Sequence, residues 1–251
     1  MIKIRASSWP TLFDCALRWY YDNIVGLRMP SSTGARLGTA IHAGCAAADR
    51  GTDTFEAAES AVRVFQNPDE ECAPITYSEQ RMAERAASAC VQSYVSTFGA
   101  RKFSHIEVEV SECVVETEHG SYMITGHVDR IENGQTKDIK TGVSRVVNGK
   151  VKVNADHLQM GIYAIMAKAE TGANISNDVT IIGASTRTYE WAEHTIYDAV
   201  QIMIGESDDD GMLNFAGKML KHGLFPPNPK SMLCSEKYCA AFAAKRCKYH
   251  G

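Results

Sequence analysis

The sequence lacks the long apolar runs that mark membrane and secreted proteins. Its N-terminus lacks the apolar core of a signal peptide, and no later run approaches the length of a membrane span. It also lacks a Pro/Gly/Ser-rich linker, an internal repeat and a low-complexity tract. These absences predict a cytoplasmic protein, and they favour a single domain over 1–251 rather than two equal halves.

An excess of positive charge is absent as well. The 251 residues carry a formal net charge of −4, which gives no bulk attraction to nucleic acid. This value does not exclude a nucleic-acid substrate, because a local basic patch is enough to contact phosphates. With 45% hydrophobic and 22% charged residues, the chain is expected to fold around one sizeable core.

Cysteine, in contrast, is abundant. Eight cysteines in a chain without a secretory signal favour thiols or metal ligands over disulfides. Four stand alone in apolar or helical surroundings and are expected to be ordinary buried thiols: Cys45, Cys72, Cys90 and Cys113. The other four lie towards the two ends of the chain, at Cys15, Cys234, Cys239 and Cys247. From spacing alone, the last three together with His250 are compatible with a structural zinc site.

Hydrophobic periodicity divides the chain into a helical first part and a second part that contains a sheet. Apolar residues at three- and four-residue spacing predict helices over 10–24, 36–49, 54–65 and 78–98. Alternating residues then predict three antiparallel strands in 106–115, 121–131 and 135–139. A helix at 156–170, a strand at 179–184 and helices at 192–204 and 211–221 are predicted to follow, before an irregular tail.

The most informative segment is a tight turn at Asn133-Gly134. Asn-Gly between two strand-like runs predicts a two-residue hairpin loop, because both central residues of a type I′ turn need a positive φ. In that register Asp129 lies opposite Asp138, and Lys140 points to the same face. Opposed carboxylates destabilise a sheet, so the arrangement predicts a bound divalent metal ion. The alternative is a solvated hairpin end whose charges merely alternate.

Four segments, in this order along the chain, resemble the PD-(D/E)XK nuclease superfamily and specifically its RecB-like branch. Ser8-Trp-Pro-Thr-Leu-Phe-Asp-Cys15 is similar to the segment that precedes an iron–sulfur cysteine. Gly38-x-x-x-His42 resembles the element whose histidine binds metal. Gly126-x-x-Asp129-Arg-Ile, followed by Asp138-Ile-Lys140-Thr-Gly, resembles the catalytic strands, and Gln159-x-x-x-Tyr163 resembles the motif that follows them. The resemblance spans nearly the whole chain.

The resemblance implies an α/β fold with a restriction-endonuclease-like core, in which helices flank a small mixed sheet. A mainly helical region at 1–100 would carry Cys15 and His42, the catalytic sheet and helices would occupy 101–222, and a cysteine-rich metal-binding tail would occupy 223–251. A Mg²⁺ or Mn²⁺ ion is implied, with the ligands His42, Asp129, Asp138 and the carbonyl oxygen of Ile139. By the same resemblance, Lys140 supports the nucleophile or stabilises the charge that develops in the transition state.

Other residues of this resemblance also have plainer interpretations. Gln159 and Tyr163 lie one helical turn apart; the resemblance makes them a substrate- or water-positioning pair, whereas spacing alone is typical of an ordinary boundary between polar surface and core. His42 read alone is typical of a packed core histidine. Glu107 and Glu109 either add a carboxylate from the neighbouring strand or belong to a solvated face.

The resemblance also implies a [4Fe–4S] cluster that ties the chain ends together. Its ligands would be the thiolates of Cys15, Cys234, Cys239 and Cys247, and a structural Zn²⁺ is the alternative. Near a second Asn-Gly turn, three basic residues offer contacts to the DNA backbone, or else form a solvated loop: Arg145, Lys150 and Lys152.

The expected function is a metal-dependent DNA exonuclease of bacterial or phage origin that acts on single strands or duplex ends. Recombination, repair and phage DNA processing all use this chemistry, so partner proteins from recombination or replication are expected besides DNA. Two alternatives remain open from the residues. One is a catalytically silent subunit that binds DNA or assists assembly, and the other is a zinc-stapled hydrolase of another phosphate ester.

Overall fold

A computed structural model of the chain describes residues 1–99, 101–153, 156–206 and 211–249. The α-helices are α1 (Trp9–Asp14), α2 (Ala16–Tyr20), α3 (Thr33–Asp49), α4 (Thr54–Gln66), α5 (Tyr77–Phe98), α6 (Asp156–Thr171), α7 (Gln201–Ile204), α8 (Met212–His222) and α9 (Ala240–Ala243). The β-strands are β1 (Lys3–Arg5), β2 (His105–Thr117), β3 (Gly120–Glu132), β4 (Gln135–Gly142), β5 (Val146–Val147), β6 (Lys150–Val151), β7 (Val179–Ser185) and β8 (Trp191–Ile196). A 3₁₀-helix at Ala6–Ser8 and a π-helix at Tyr21–Val25 flank the first two helices. Among these described helices, none is long and apolar enough to span a membrane.

A six-stranded mixed sheet forms the centre of the structure. Its order is β1-β3-β4-β7-β8, and β2 also pairs with β3. The strands β2, β3 and β4 are antiparallel, whereas β1 runs parallel to β3 and β7 runs parallel to β4. The predicted antiparallel strands and mixed sheet are therefore confirmed. Helix α6 lies in the connection from β4 to β7, as a parallel pair requires a long crossover.

Helices cover both faces of this sheet and divide its apolar residues between two hydrophobic clusters. The first cluster includes Trp9 of α1, Ile124 of β3 and Met166 of α6. The second joins α3, α4 and α5 to the sheet through Ile139 of β4 and Ile182 of β7. Because β4 contacts both α3 and α6, a site on this strand receives side chains from helices of both clusters.

Two predicted helices differ in the structure. The range 10–24 is divided at Cys15, whose extended backbone (φ −146°, ψ 93°) separates α1 from α2. The prediction of a helix over 192–204 is wrong, because β8 occupies most of its first half and α7 only its end. Strand β8 pairs along its length with β7, and this pairing, with Trp191 and Ile196 buried at its two ends, outweighs the local helical periodicity.

Close packing of α3 against α4 and α5 depends on Gly44. A Cβ atom at this position would lie 2.6 Å from Val91 Cγ2 and 2.8 Å from Ala61 Cβ. We therefore expect Gly44→Ala to lower the free energy of unfolding by about 1–3 kcal/mol through overpacking, measured by urea denaturation. Gly34→Ala in the same helix is the matched control, because its Cβ would meet only Ser32 Oγ at 3.9 Å. Equal losses of stability in the two variants would contradict the packing argument.

Candidate active site

The β3–β4 hairpin forms with the predicted turn. The loop residues have the positive φ angles of a type I′ turn, 51° at Asn133 and 74° at Gly134. The paired residues of the ladder continue as far as Arg130 and Lys137. Asp129 and Asp138 are the next opposed positions, just beyond the last backbone pair of the two strands.

Asp129 connects β3, β4 and α3. Its Oδ2 atom accepts a hydrogen bond from the Ile139 N–H at 2.8 Å and lies 3.2 Å from Nδ1 of His42. Burial alone would raise the pKa of Asp129, but the neighbouring charges, His42 first and then Arg130 and Lys140, hold this pKa well below its usual value. Asp129 is therefore an ionised carboxylate that faces an imidazole nitrogen.

The pKa of His42, the partner of Asp129, is shifted in the opposite direction. Burial lowers the pKa of His42, but the charge and hydrogen bond of Asp129, together with the charge of Asp138, raise it above its usual value. The pair is thus an electrostatic contact that joins α3 to the sheet. The structure brings together these two residues, which lie far apart in the sequence, as the family resemblance implied.

Asp138 and Lys140 form an ion pair beside Asp129. Nζ of Lys140 lies 2.7 Å from Oδ2 of Asp138 and 5.6 Å from the ring centroid of Tyr163. Burial raises the pKa of Asp138 to about 6, and the negative charge of Asp129 adds to this effect, whereas Lys140 opposes it. Two carboxylates that disfavour each other's ionisation form a site that a divalent cation would stabilise.

Glu107 of β2 adds a third carboxylate close to His42 and Asp129. Ligand atoms of His42, Glu107 and Asp129 all lie within 4.8 Å of one another. Of the two glutamates considered from the sequence, Glu107 is half-buried in this group, whereas Glu109 is exposed. One imidazole nitrogen and several carboxylate oxygens are a donor set that fits Mn²⁺ or Mg²⁺.

Helix α6 contributes two buried side chains next to Lys140. The amide Nε2 of Gln159 donates a hydrogen bond to the hydroxyl of Tyr163. Burial raises the pKa of Tyr163 above its usual value, so the phenol is neutral. The predicted pair therefore lies at the site, and its role in positioning substrate or water stays a prediction.

The basic residues predicted to contact DNA follow β4. Asn148 and Gly149 form the turn of a small hairpin between β5 and β6. Lys150 and Lys152 are exposed on it. Arg145 has structural partners instead, since its Nη1 lies 2.6 Å from an Asp156 carboxylate oxygen and donates to the Lys152 carbonyl at 2.7 Å. Contact of these residues with DNA stays a prediction.

The four cysteines from the two chain ends line one pocket. Cys15, Cys234, Cys239 and Cys247 all contribute to its wall. Burial raises the pKa of the Cys234 thiol, and the charges of the other three cysteines raise it further. The residue predicted to complete the zinc alternative, His250, lies outside the described residues.

Direct contacts also hold the tail against the N-terminal helices. The Asn228 N–H donates to the Cys15 sulfur at 3.4 Å, and the Ser231 hydroxyl donates to Asp14 at 2.6 Å. The ring of Phe225 stacks on Trp19 with centroids 6.0 Å apart. The cysteine pocket therefore lies at a junction that the polypeptide itself forms.

Sequence reasoning missed a buried group of residues behind the site. Arg130, Asp49 and Tyr94 are connected by hydrogen bonds. A usable signal was present, because Arg130 directly follows Asp129 in a strand that packs in the core. An arginine buried there needs carboxylate partners, although the sequence does not say which residues supply them.

Known proteins resemble this chain both in sequence and in structure. The sequence model of the PD-(D/E)XK nuclease superfamily matches residues 5–247. Among solved structures, a candidate exonuclease from Eubacterium rectale is similar with a TM-score of 0.54 and 14% identity, over 92% of this chain and 86% of that one. The protein SSO0001 is similar with a TM-score of 0.42 and 13% identity, over 96% of this chain and 97% of that one. The search of curated proteins gave no sequence match. At these identities the first structure supports the fold, and the second is too distant to support an argument.

Proposed function

The chain belongs to the PD-(D/E)XK nuclease superfamily, and on this premise we propose that it is a metal-dependent exonuclease of DNA. The observation that carries the proposal is the contact of His42 with Asp129, 3.2 Å apart, beside the ion pair of Lys140 with the buried Asp138. The proposed substrates are single strands and duplex ends. The proposed setting is recombination, repair or phage DNA processing in the bacterial cytoplasm.

In this proposal His42, Asp129 and Asp138 hold Mg²⁺ or Mn²⁺, with the Ile139 carbonyl as a further oxygen. When bound, the ion supplies Lewis-acid catalysis for phosphodiester hydrolysis. The protein's own contribution is to fix the ligands in place. The Ile139 N–H orients the Asp129 carboxylate through a hydrogen bond of 2.8 Å, and helix α3 fixes the imidazole of His42 against the same oxygen.

Lys140 stabilises the negative charge that develops on the phosphoryl oxygens. Burial would lower its pKa, but Asp138 and the other neighbouring groups raise it, so the ammonium stays charged at neutral pH. Its contact with Asp138 fixes its direction, and a fixed charge in a site of low dielectric stabilises a transition state more than a mobile one does. The Gln159–Tyr163 pair limits the space around Lys140 and orients the attacking water or the substrate.

We further propose that the four-cysteine pocket holds a [4Fe–4S] cluster. The four thiols line the same pocket, and four thiolates are the usual ligands of such a cluster. The alternative occupant is a structural Zn²⁺ ion, which cysteine thiolates also bind.

The test of the exonuclease proposal is digestion of end-labelled linear DNA beside circular single-stranded DNA of similar length, with Mn²⁺ and with a chelator. An exonuclease releases labelled products from the ends of linear strands and leaves the circle intact. Degradation of the circle would show endonuclease action instead. Asp129→Asn is the control variant, expected to be inactive on every substrate. Absence of cleavage by the wild-type protein with any divalent ion would overturn the enzyme proposal.

A further inference from the structure

A buried ion network lies directly behind the candidate metal site. The guanidinium of Arg130 is fully buried, with Nε 2.7 Å from Asp49 Oδ2 and Nη1 2.8 Å from Glu107 Oε1. The other carboxylate oxygen of Asp49 accepts the Tyr94 hydroxyl at 2.9 Å. One guanidinium thus connects α3, α5 and β2 to β3, the strand that carries Asp129.

Glu107 has a backbone conformation that is rare within a strand. Its φ of 53° lies in the left-handed region, although its neighbours Ile106 and Val108 keep their pairing with β3. A residue with a side chain costs about 1–3 kcal/mol in this conformation, and such costs persist mainly at functional sites. The consequence here is that the Glu107 carboxylate comes within 4.8 Å of ligand atoms of His42 and Asp129.

From this geometry we infer that Glu107 is a further metal-binding residue of the site, and that Arg130, anchored by Asp49, is the positioning residue that holds it there. The inference rests on the proposed metal-dependent function and extends its ligand set. Arg130 contacts Oε1 of Glu107, which leaves the second oxygen of that carboxylate for a cation. The Glu107 side chain is 28% exposed, whereas that of Arg130 is 0% exposed, so an ion from solvent reaches the glutamate and not the arginine.

The charges of the whole group support the same assignment. The carboxylates are Glu107, Asp129, Asp138 and Asp49, and the cations are Arg130 and Lys140. Apart from the imidazole of His42, four negative and two positive charges leave a balance of −2, which a divalent cation neutralises. Without Glu107 the balance would be −1.

The experiment is calorimetric titration of the full chain with Mn²⁺ in the absence of DNA. We expect Glu107→Gln to weaken Mn²⁺ binding at least about 10-fold, because loss even of an outer partner of a metal ligand typically costs 10- to 100-fold in affinity. Glu109→Gln is the matched control, since it makes the same change two residues away on the same strand, at an exposed position, and should bind as the wild type does. Wild-type affinity in Glu107→Gln, or equal weakening in both variants, would overturn the ligand assignment.

The positioning role is tested by a double-mutant cycle. Asp49→Asn should weaken Mn²⁺ binding about 10-fold on its own, but should add little in the Glu107→Gln background, because it acts through that glutamate. A merely structural role of Asp49 would give additive losses of affinity and would overturn this part of the inference. These outcomes differ from failure of the nuclease proposal. Wild-type protein that binds Mn²⁺ as expected but cleaves no DNA would contradict only the proposed function.

Discussion

Replacing Lys140 with methionine is expected to lower the rate of DNA cleavage at least about 100-fold while the protein still binds Mn²⁺. Lys140 contacts the proposed ligand Asp138 at 2.7 Å but is not itself one of the proposed ligands. Methionine keeps much of the length and the apolar stem of lysine and removes only the charge. The rate is measured in single-turnover cleavage of end-labelled DNA, and the metal affinity by calorimetry on the same preparation.

Lys137→Met is the matched control for this prediction. Lys137 lies on the same strand, is buried, and pairs with Glu132 at 2.7 Å and Glu193 at 3.1 Å. Its loss leaves a half-buried and an exposed carboxylate with fewer partners, so we expect a lower melting temperature and an unchanged cleavage rate per folded molecule. If both variants lost activity in proportion to lost stability, Lys140 would have a structural role only.

The local parts of the site were predictable because short-range chemistry determines them. Asn133 and Gly134 tolerate positive φ, so the turn type follows from two residues, and the alternation of a strand then fixes which side chains share a face. The opposition of Asp129 and Asp138 follows from the turn alone. The predicted α3, α5 and α8 likewise follow from periodicity and end signals, such as the Thr76–Glu79 capping box that begins α5.

The long-range parts could not be predicted from local chemistry. The approach of His42 to Asp129 depends on how α3 packs on the sheet, and only the family resemblance indicated it. The contacts among Glu107, Arg130 and Asp49 join three different elements, and no periodic signal in the sequence indicates them. The prediction of a helix at 192–204 failed for a similar reason. The local pattern of this segment is ambiguous, and its long-range pairing with β7 determines that it forms a strand.

Replacing Cys15 with serine is expected to remove the proposed cluster and to release the tail from the N-terminal helices. The cysteine lies in the break between α1 and α2 and contributes to the same pocket as Cys234, Cys239 and Cys247. Much of the folding energy of a small metal-binding segment comes from its metal. We expect loss of iron, sulfide and visible absorbance, and faster proteolysis within 225–249, because the remaining polar contacts of Asn228 and Ser231 with Asp14 are exposed.

Cys72→Ser separates this effect from the loss of a thiol as such, because Cys72 is also half-buried but lies outside the pocket. It should retain iron, sulfide and protease resistance. Zinc instead of iron and sulfide in the wild-type protein would contradict the cluster, and full metal content in Cys15→Ser would remove Cys15 from the ligand set. The proposed active-site residues lie on β3, β4, α3 and α6, and none of them lines the cysteine pocket. Cys15→Ser should therefore retain Mn²⁺ binding, and any loss of DNA cleavage in this variant would show that the tail also contributes to binding DNA.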